Sequence, residues 1–273
     1  MFKKLVLCLF LIVAALPAAA VDYTDIYYIP AESGWGANVV QSGTDFNYMF
    51  VTFFIYGADN KPTWYTAQLT LDASGNFNGP LFATTGTFYT MPWKPSDLTA
   101  PVVGTASFQP TSAYTAKLIY TVTTPAELAG TVTKLIQRQS LTPIAIGGTY
   151  VGGQSGSYSG SGFSLSGAYT DTFGLLVSQL NDGTVSFQFQ YDGLPQTCTL
   201  TGTPTQFGQL YTMPATNYKC AVNSNGQIAL NTNASMSEIK ATAQGIEGRF
   251  SAPNVGSGCS ESATFSAVLL PSN

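Results

Sequence analysis

From Val21 onward the chain alternates apolar and polar positions with a period of two, the signature of strands with one face in a core. The strand predicted at Pro62–Leu71, with its alternation read on through Asp72, is the clearest case. Tyr65, Ala67, Leu69 and Leu71 form one apolar set, assigned to a core, while Trp64, Thr66, Gln68, Thr70 and Asp72 form a polar set around one indole. Phe46–Tyr56 is aromatic on both faces, which predicts a strand buried on both sides. Strands are further predicted at Ala37–Gln41, Asn76–Phe82, Val102–Gln109, Thr115–Val122 and Ala129–Gln137. In the second half they are predicted at Thr149–Gly152, Gly162–Leu165, Thr172–Leu180, Thr184–Tyr191, Thr197–Gly202, Gly208–Thr212, Tyr218–Val222, Gln227–Thr232, Gly245–Ser251 and Ala263–Leu269. One helix is predicted, over Ala234–Ala243, and the Gly/Ser stretch Gly152–Gly162 reads as a mobile loop. Gly57–Lys61 and Ser74-Gly75-Asn76 join neighbouring strands as hairpins. Sequential hairpins make a meander, so the expected fold is all-β: two antiparallel meander barrels, calycin-like, or sandwiches in tandem.

The first twenty residues stand apart. A basic start, the apolar run Leu5–Leu16 and Ala18-Ala19-Ala20 form a secretory signal peptide, with cleavage expected before Val21. No later segment is apolar for long enough to be a transmembrane helix. The chain ends Leu270-Pro271-Ser272-Asn273 rather than on an aromatic strand end, which argues against an outer-membrane barrel. A periplasmic or secreted location follows. Past the signal, two domains are expected, 21–142 and 143–273. All three tryptophans precede Ser140 and the remaining cysteines follow Gly147, while Leu141–Gly147 is a short apolar connector that packs the halves together. Cys198, Cys220 and Cys259 allow three single disulfides, each leaving one thiol over. Phe88-Tyr89-Thr90-Met91-Pro92 recurs as Leu210-Tyr211-Thr212-Met213-Pro214, an echo that points to duplicated barrels.

Composition narrows the chemistry. Charged residues make up 9% of the chain and histidine is absent, against about 25% charged in ordinary proteins. Without histidine there is no Ser-His-Asp triad, no Cys-His pair and no His-ligated zinc or haem. Loss of Lys3 and Lys4 with the signal takes the basic residues from 10 to 8 against 14 acids, so the net charge moves from −4 to −6. An acidic chain without a basic cluster does not suit nucleic acid. No motif calls for a cofactor or a metal.

The candidate ligand-binding residues are aromatic and neutral. Trp64 with Thr66 and Gln68 suits a sugar or small-ligand surface, where a ring stacks and polar groups orient; the alternative is an indole covering a sheet edge or the second domain. Met91-Pro92-Trp93-Lys94-Pro95 is a proline-framed loop that either exposes Trp93 for contact or anchors on the core. Trp35, between Gly34 and Gly36, is expected to plug a barrel end under the guanidinium of Arg138, the alternative being a ligand contact. That pairing resembles calycin-type barrels such as the lipocalins, in which a glycine-tryptophan element on the first strand meets an arginine near the last. Glu32 and Asp59 or Asp72 are the carboxylates near aromatics in the first half that a glycosidase could use, while most other acids, such as Asp182 and Asp192, sit in turn contexts beside glycine.

The ordered set Glu32-Ser33-Gly34-Trp35-Gly36, Phe54-Ile55-Tyr56-Gly57, Lys61-Pro62-Thr63-Trp64-Tyr65, Gly79-Pro80-Leu81, Thr85-Gly86 and Thr133–Gln139 resembles a family of secreted proteobacterial proteins without an assigned function. It spans the whole first half, departing at Ala37 and Leu135. The second half, with Cys198, Gly202, Gln206, Gly208, Cys220, Gly245, Arg249 and Cys259, is similar to a cysteine-bearing domain that accompanies that family. The resemblance implies a periplasmic or secreted β-protein and brings no catalytic residues. The function expected from these readings is a non-enzymatic exported protein that binds an uncharged small molecule, a glycan or a protein surface. A structural protein assembling through its aromatic strands is the second reading and a carboxylate-dependent glycosidase the third.

Overall fold

The computed structural model describes residues 21–42, 46–160, 167–256 and 258–271. The expected signal peptide and the strand expected at Gly162–Leu165 lie outside them. The first unit is a closed meander of eight strands: β1 (Asp25–Tyr28), β2 (Gly36–Ser42), β3 (Tyr48–Tyr56), β4 (Pro62–Leu71), β5 (Phe77–Phe82), β6 (Val102–Pro110), β7 (Thr115–Val122) and β8 (Gly130–Arg138). Pairing of β1 with β8 closes it, Tyr27 opposite Arg138 and Tyr28 opposite Gln137. The sequence pattern missed β1, whose four residues are too few to display a period.

The second unit comprises β9 (Gly148–Ser159), β10 (Gly167–Gln179), β11 (Val185–Tyr191), β12 (Gln196–Gly202), β13 (Thr205–Phe207), β14 (Leu210–Val222), β15 (Ile228–Ala241), β16 (Gly245–Ala252) and β17 (Ser260–Leu269). Pairing of β12 with β14 and of β17 with β9 closes eight of these into a second antiparallel barrel, and β13 is a short flap hairpinned onto β14. Both units are therefore barrels rather than sandwiches.

Each barrel is filled by its inward alternating set. In the first, Met49, Val51, Phe53, Ala67, Leu69, Phe108, Leu118 and Ile136 are buried together. In the second, Phe173, Phe187, Phe189, Phe250 and Phe265 dominate, joined by Ile146 from the connector. Burying one such side chain contributes about 1.5–3 kcal/mol, so the cores account for most of what holds the strands in register.

Several expectations are corrected. The predicted helix at Ala234–Ala243 is, through Ala241, the second half of strand β15. Ala234, Met236 and Ile239 are its buried apolar positions, and a bulge between Ser237 and Lys240, with Glu238 at φ 52°, inserts the extra step. That three-residue step imitates helical spacing. The Gly/Ser stretch expected to be a mobile loop is strand through Ser159. Its glycines serve close packing: a Cβ on Gly156 would come within 2.6 Å of the Tyr169 ring. The two strands expected at Gly208–Thr212 and Tyr218–Val222 are one strand, β14, with register shifts between Tyr211 and Thr216 on either side of Met213. Strand β3 is buried on its inner face alone; Phe50, Phe54 and Tyr56 are exposed on the outside. Leu71, assigned to the core, is exposed where β4 runs out. The pentapeptide echo is no structural equivalence: Phe88–Pro92 lies in the connection between β5 and β6, whereas Leu210–Pro214 opens β14.

Candidate functional site

The outer face of the first barrel brings the candidate ligand residues together. On β4 the outward set is Trp64, Thr66 and Gln68, and on β3 their direct partners are Phe54, Thr52 and Phe50. Alternation places all six on one face, since paired residues share a side of the sheet. Trp93 arrives from the connection between β5 and β6, at residues 83–101. That connection is shaped by its own polar side chains. Thr85 bridges Thr99, their hydroxyls 2.7 Å apart; the Lys94 amide donates to the Thr87 hydroxyl at 2.9 Å; and a 3-10 turn at Pro95–Asp97 follows. The result lays the Trp93 ring against Gly86.

Between the connection and β4 lies an open groove of about 600 Å³, lined by Phe50, Trp64, Thr66, Gln68, Thr84, Trp93 and Leu98 among others, with no charged residue among the described residues of its wall. Trp64 is 50% and Trp93 61% exposed. Trp64 lies on a strand paired on both sides, so it covers no sheet edge. The Thr84 hydroxyl, shielded from solvent, has no hydrogen-bond partner among the described residues. Chemically the groove offers ring faces for C–H surfaces, with hydroxyls and one amide for neutral hydrogen bonds.

The barrel-closing residues sit elsewhere and pair differently than expected. Trp35 and Arg138 do not stack. Trp35 packs on the first core with the Lys134 ammonium 5.9 Å from its ring, and Lys134 in turn pairs with Glu32. Burial pushes the neighbouring Tyr120 hydroxyl up in pKa, and the Trp35 indole N–H is buried without a hydrogen-bond partner among the described residues. Arg138 instead lies over Tyr27, 5.7 Å from the ring centroid. Its Nε donates to the Ala113 carbonyl at 2.8 Å, Nη1 to the Thr24 carbonyl at 3.2 Å and the Asp25 carboxylate at 3.1 Å, and Nη2 to the Asp22 carbonyl. The physical reason is register: Arg138 pairs directly with Tyr27 on β1, while Trp35 lies just before β2 and Lys134 four residues back on β8.

Cys198 and Cys220 form a disulfide directly across the β12–β14 pairing, the seam that closes the second barrel. Cys259 is the leftover, free and buried. The glycosidase acids are dispersed. Glu32 faces Lys134, Asp59 pairs with Lys61 in the β3–β4 turn, and Asp72 accepts from the Ser74 and Asn76 amides in the next turn. None of the three lines the groove.

Sequence reasoning missed one cluster: Glu261, buried at the start of β17 and bonded by the hydroxyls of Tyr169 and Tyr218. A signal existed, because Glu261 is in phase with Ala263, Phe265 and Ala267, so alternation sends its carboxylate inward.

Neither a family model nor a curated protein matches the chain. Among solved structures it is similar to a protein of unknown function from the DUF3598 family of Nostoc punctiforme, with 10% identity, coverage of 90% of this chain and 94% of that chain, and a TM-score of 0.28.

Proposed function

We propose that the protein is a non-enzymatic, exported binding module that takes an uncharged glycan in the outer groove of its first barrel. The observation that carries this is the convergence of Trp64 and Trp93, from separate elements, on one wall that also holds Thr66 and Gln68 and has no charge among its described residues. Sugar rings present apolar C–H faces that stack on indoles, while their hydroxyls match neutral donors and acceptors. Export accords with the Cys198–Cys220 disulfide, a bond characteristic of oxidising compartments.

Titration of the intact chain with a panel of soluble oligosaccharides, followed by tryptophan emission and calorimetry, tests it. Binding by one class of glycan is expected, with at least a tenfold loss in Trp64→Ala and in Trp93→Ala. Stability should change by no more than about 0.5 kcal/mol, as for exposed positions. If no oligosaccharide perturbs emission or releases heat, the reading fails.

A second reading is favoured by one specific feature: Phe54 and Tyr56 extend the exposed aromatic row beyond the groove. A protein surface, including a second copy of this chain, would cover such a row. Sedimentation that shows self-association abolished by Phe54→Ser, with no glycan bound, would replace the first reading with this one.

A further inference from the structure

The second barrel carries a polar cup that the groove does not involve. Its contacts with the first barrel, through Gln209, Glu238 and Lys240, lie at one set of strand ends. At the opposite ends β9, β11 and β14 finish while β10, β12, β15 and β17 begin, and there the lumen opens into a cavity of about 380 Å³.

Its wall holds two carboxylates, Glu261 and Asp171, and the tyrosines 158, 191 and 218, with no lysine or arginine among the described lining residues. Glu261 is 4% exposed. It accepts hydrogen bonds from the Tyr169 and Tyr218 hydroxyls, and among the described residues it has no ion-pair partner. Gln154, 6% exposed, accepts from the Tyr191 hydroxyl at 3.3 Å, while its amide N–H₂ has no acceptor among the described residues. Below lie apolar rings: Tyr191 stacks on Phe189, and Tyr218 packs on Phe250. The cup therefore supplies negative charge without a counter-ion, ring faces and a spare amide donor.

A buried carboxylate without a cation is costly, and a cation entering the cup removes that cost. Ring faces favour an organic cation over a hydrated metal ion, and no group of three metal-ligating side chains occurs among the described residues. We propose that the distal cup of the second barrel is a binding site for a small organic ammonium ion with an aromatic body and a hydrogen-bond acceptor. The ammonium meets Glu261 and Asp171, the body rests on the tyrosine and phenylalanine rings, and the acceptor takes the Gln154 amide.

Three isosteric probes test the charge requirement on the intact chain near neutral pH by calorimetry: tyramine (cation), tyrosol (neutral) and 4-hydroxyphenylacetate (anion). Tyramine is expected to bind at least tenfold tighter than tyrosol, with the anion weakest. Glu261→Gln should abolish the preference and Asp171→Asn should reduce it, while Trp64→Ala leaves it unchanged, which separates this site from the glycan groove. Should Glu261→Gln not fold, the probe series on the unaltered chain and Asp171→Asn decide. Equal affinity for the three probes, no binding of tyramine, or tyramine binding unchanged in every folded carboxylate variant would overturn the proposal.

Discussion

The carboxylate of Asp25 receives the Arg138 guanidinium at 3.1 Å and the backbone N–H of Gln209 at 3.0 Å. One buried acid thus joins the last strand of the first barrel to the β13–β14 turn of the second. The Tyr114 hydroxyl adds a second tie by accepting from the Glu238 amide, and Ser140 a third by accepting from Gly208. Arg138 and its partner have side chains 1% and 8% exposed, so water cannot replace either.

Removing the guanidinium leaves a buried carboxylate unpaired, which costs about 3–5 kcal/mol. Arg138→Met is therefore expected to lower the unfolding free energy by roughly that amount. All three tryptophans lie in the first barrel, so urea denaturation followed by tryptophan emission reads its loss directly. Stability within about 1 kcal/mol of the parent chain would show that the Arg138 pair does not close that barrel.

Gly208 tests the junction from the other side. It has a φ of 59°, and a Cβ there would lie 2.0 Å from the Asp25 carboxylate. Gly226 has a similar φ of 69° with nothing within 4 Å. Gly226→Ala should cost only the left-handed strain, about 1–2 kcal/mol. Gly208→Ala should cost that and loosen the junction, read as faster proteolysis between the barrels. Equal behaviour of the two variants would contradict the contact.

The Cys198–Cys220 bond closes a short loop across a barrel seam, with a sequence separation of 22. Chain-entropy arguments put its contribution at about 3 kcal/mol. A chain without its first twenty residues should show one alkylatable thiol when denatured unreduced and three after reduction. Cys198→Ala with Cys220→Ala should lower the melting temperature while leaving the secondary structure intact. Three thiols without reductant would refute the bridge.

Two acids pull the pH dependence in opposite directions. Burial, aided by Asp171, pushes the Glu261 carboxyl up, and hydrogen bonds from the tyrosine hydroxyls offset this in part. The folded chain holds that proton more tightly than the unfolded one. The stability it confers is complete below pH 4.5 and is lost as pH rises through the raised value. Glu261→Gln should gain on the parent chain between about pH 4 and pH 7 in urea titrations. A gap that narrows instead would refute this assignment. At Asp22, partial burial is outweighed by hydrogen bonds from Thr24 and the charge of Lys240, so its carboxyl is lowered. Its contribution is present above pH 3.8 and is lost on acidification.

Much of the first barrel was legible from alternation. The strand at Pro62–Leu71 was placed to the residue, and its Trp64–Thr66–Gln68 face is the groove wall. Where a local pattern carries a second message, the reading failed. The bulge at Glu238 made a strand look helical, and glycines needed for packing against Tyr169 made β9 look like a loop. Trp93 could be recognised as a loop residue, but nothing local says that residues 83–101 fold back over β4.

By itself, then, the sequence determined the all-β class, the inward and outward faces of most strands and the chemistry excluded by the absence of histidine. These are consequences of a period of two and of side-chain inventory, both local. The tertiary structure alone decided that Trp93 meets Trp64, that Arg138 rests on Tyr27 rather than Trp35, that Cys198 pairs with Cys220 and that Glu261 faces a cup of tyrosines. Each of these depends on the register in which distant strands close a barrel. That register is set by the summed packing of the whole core, and a one-residue slip would send every side chain to the other face.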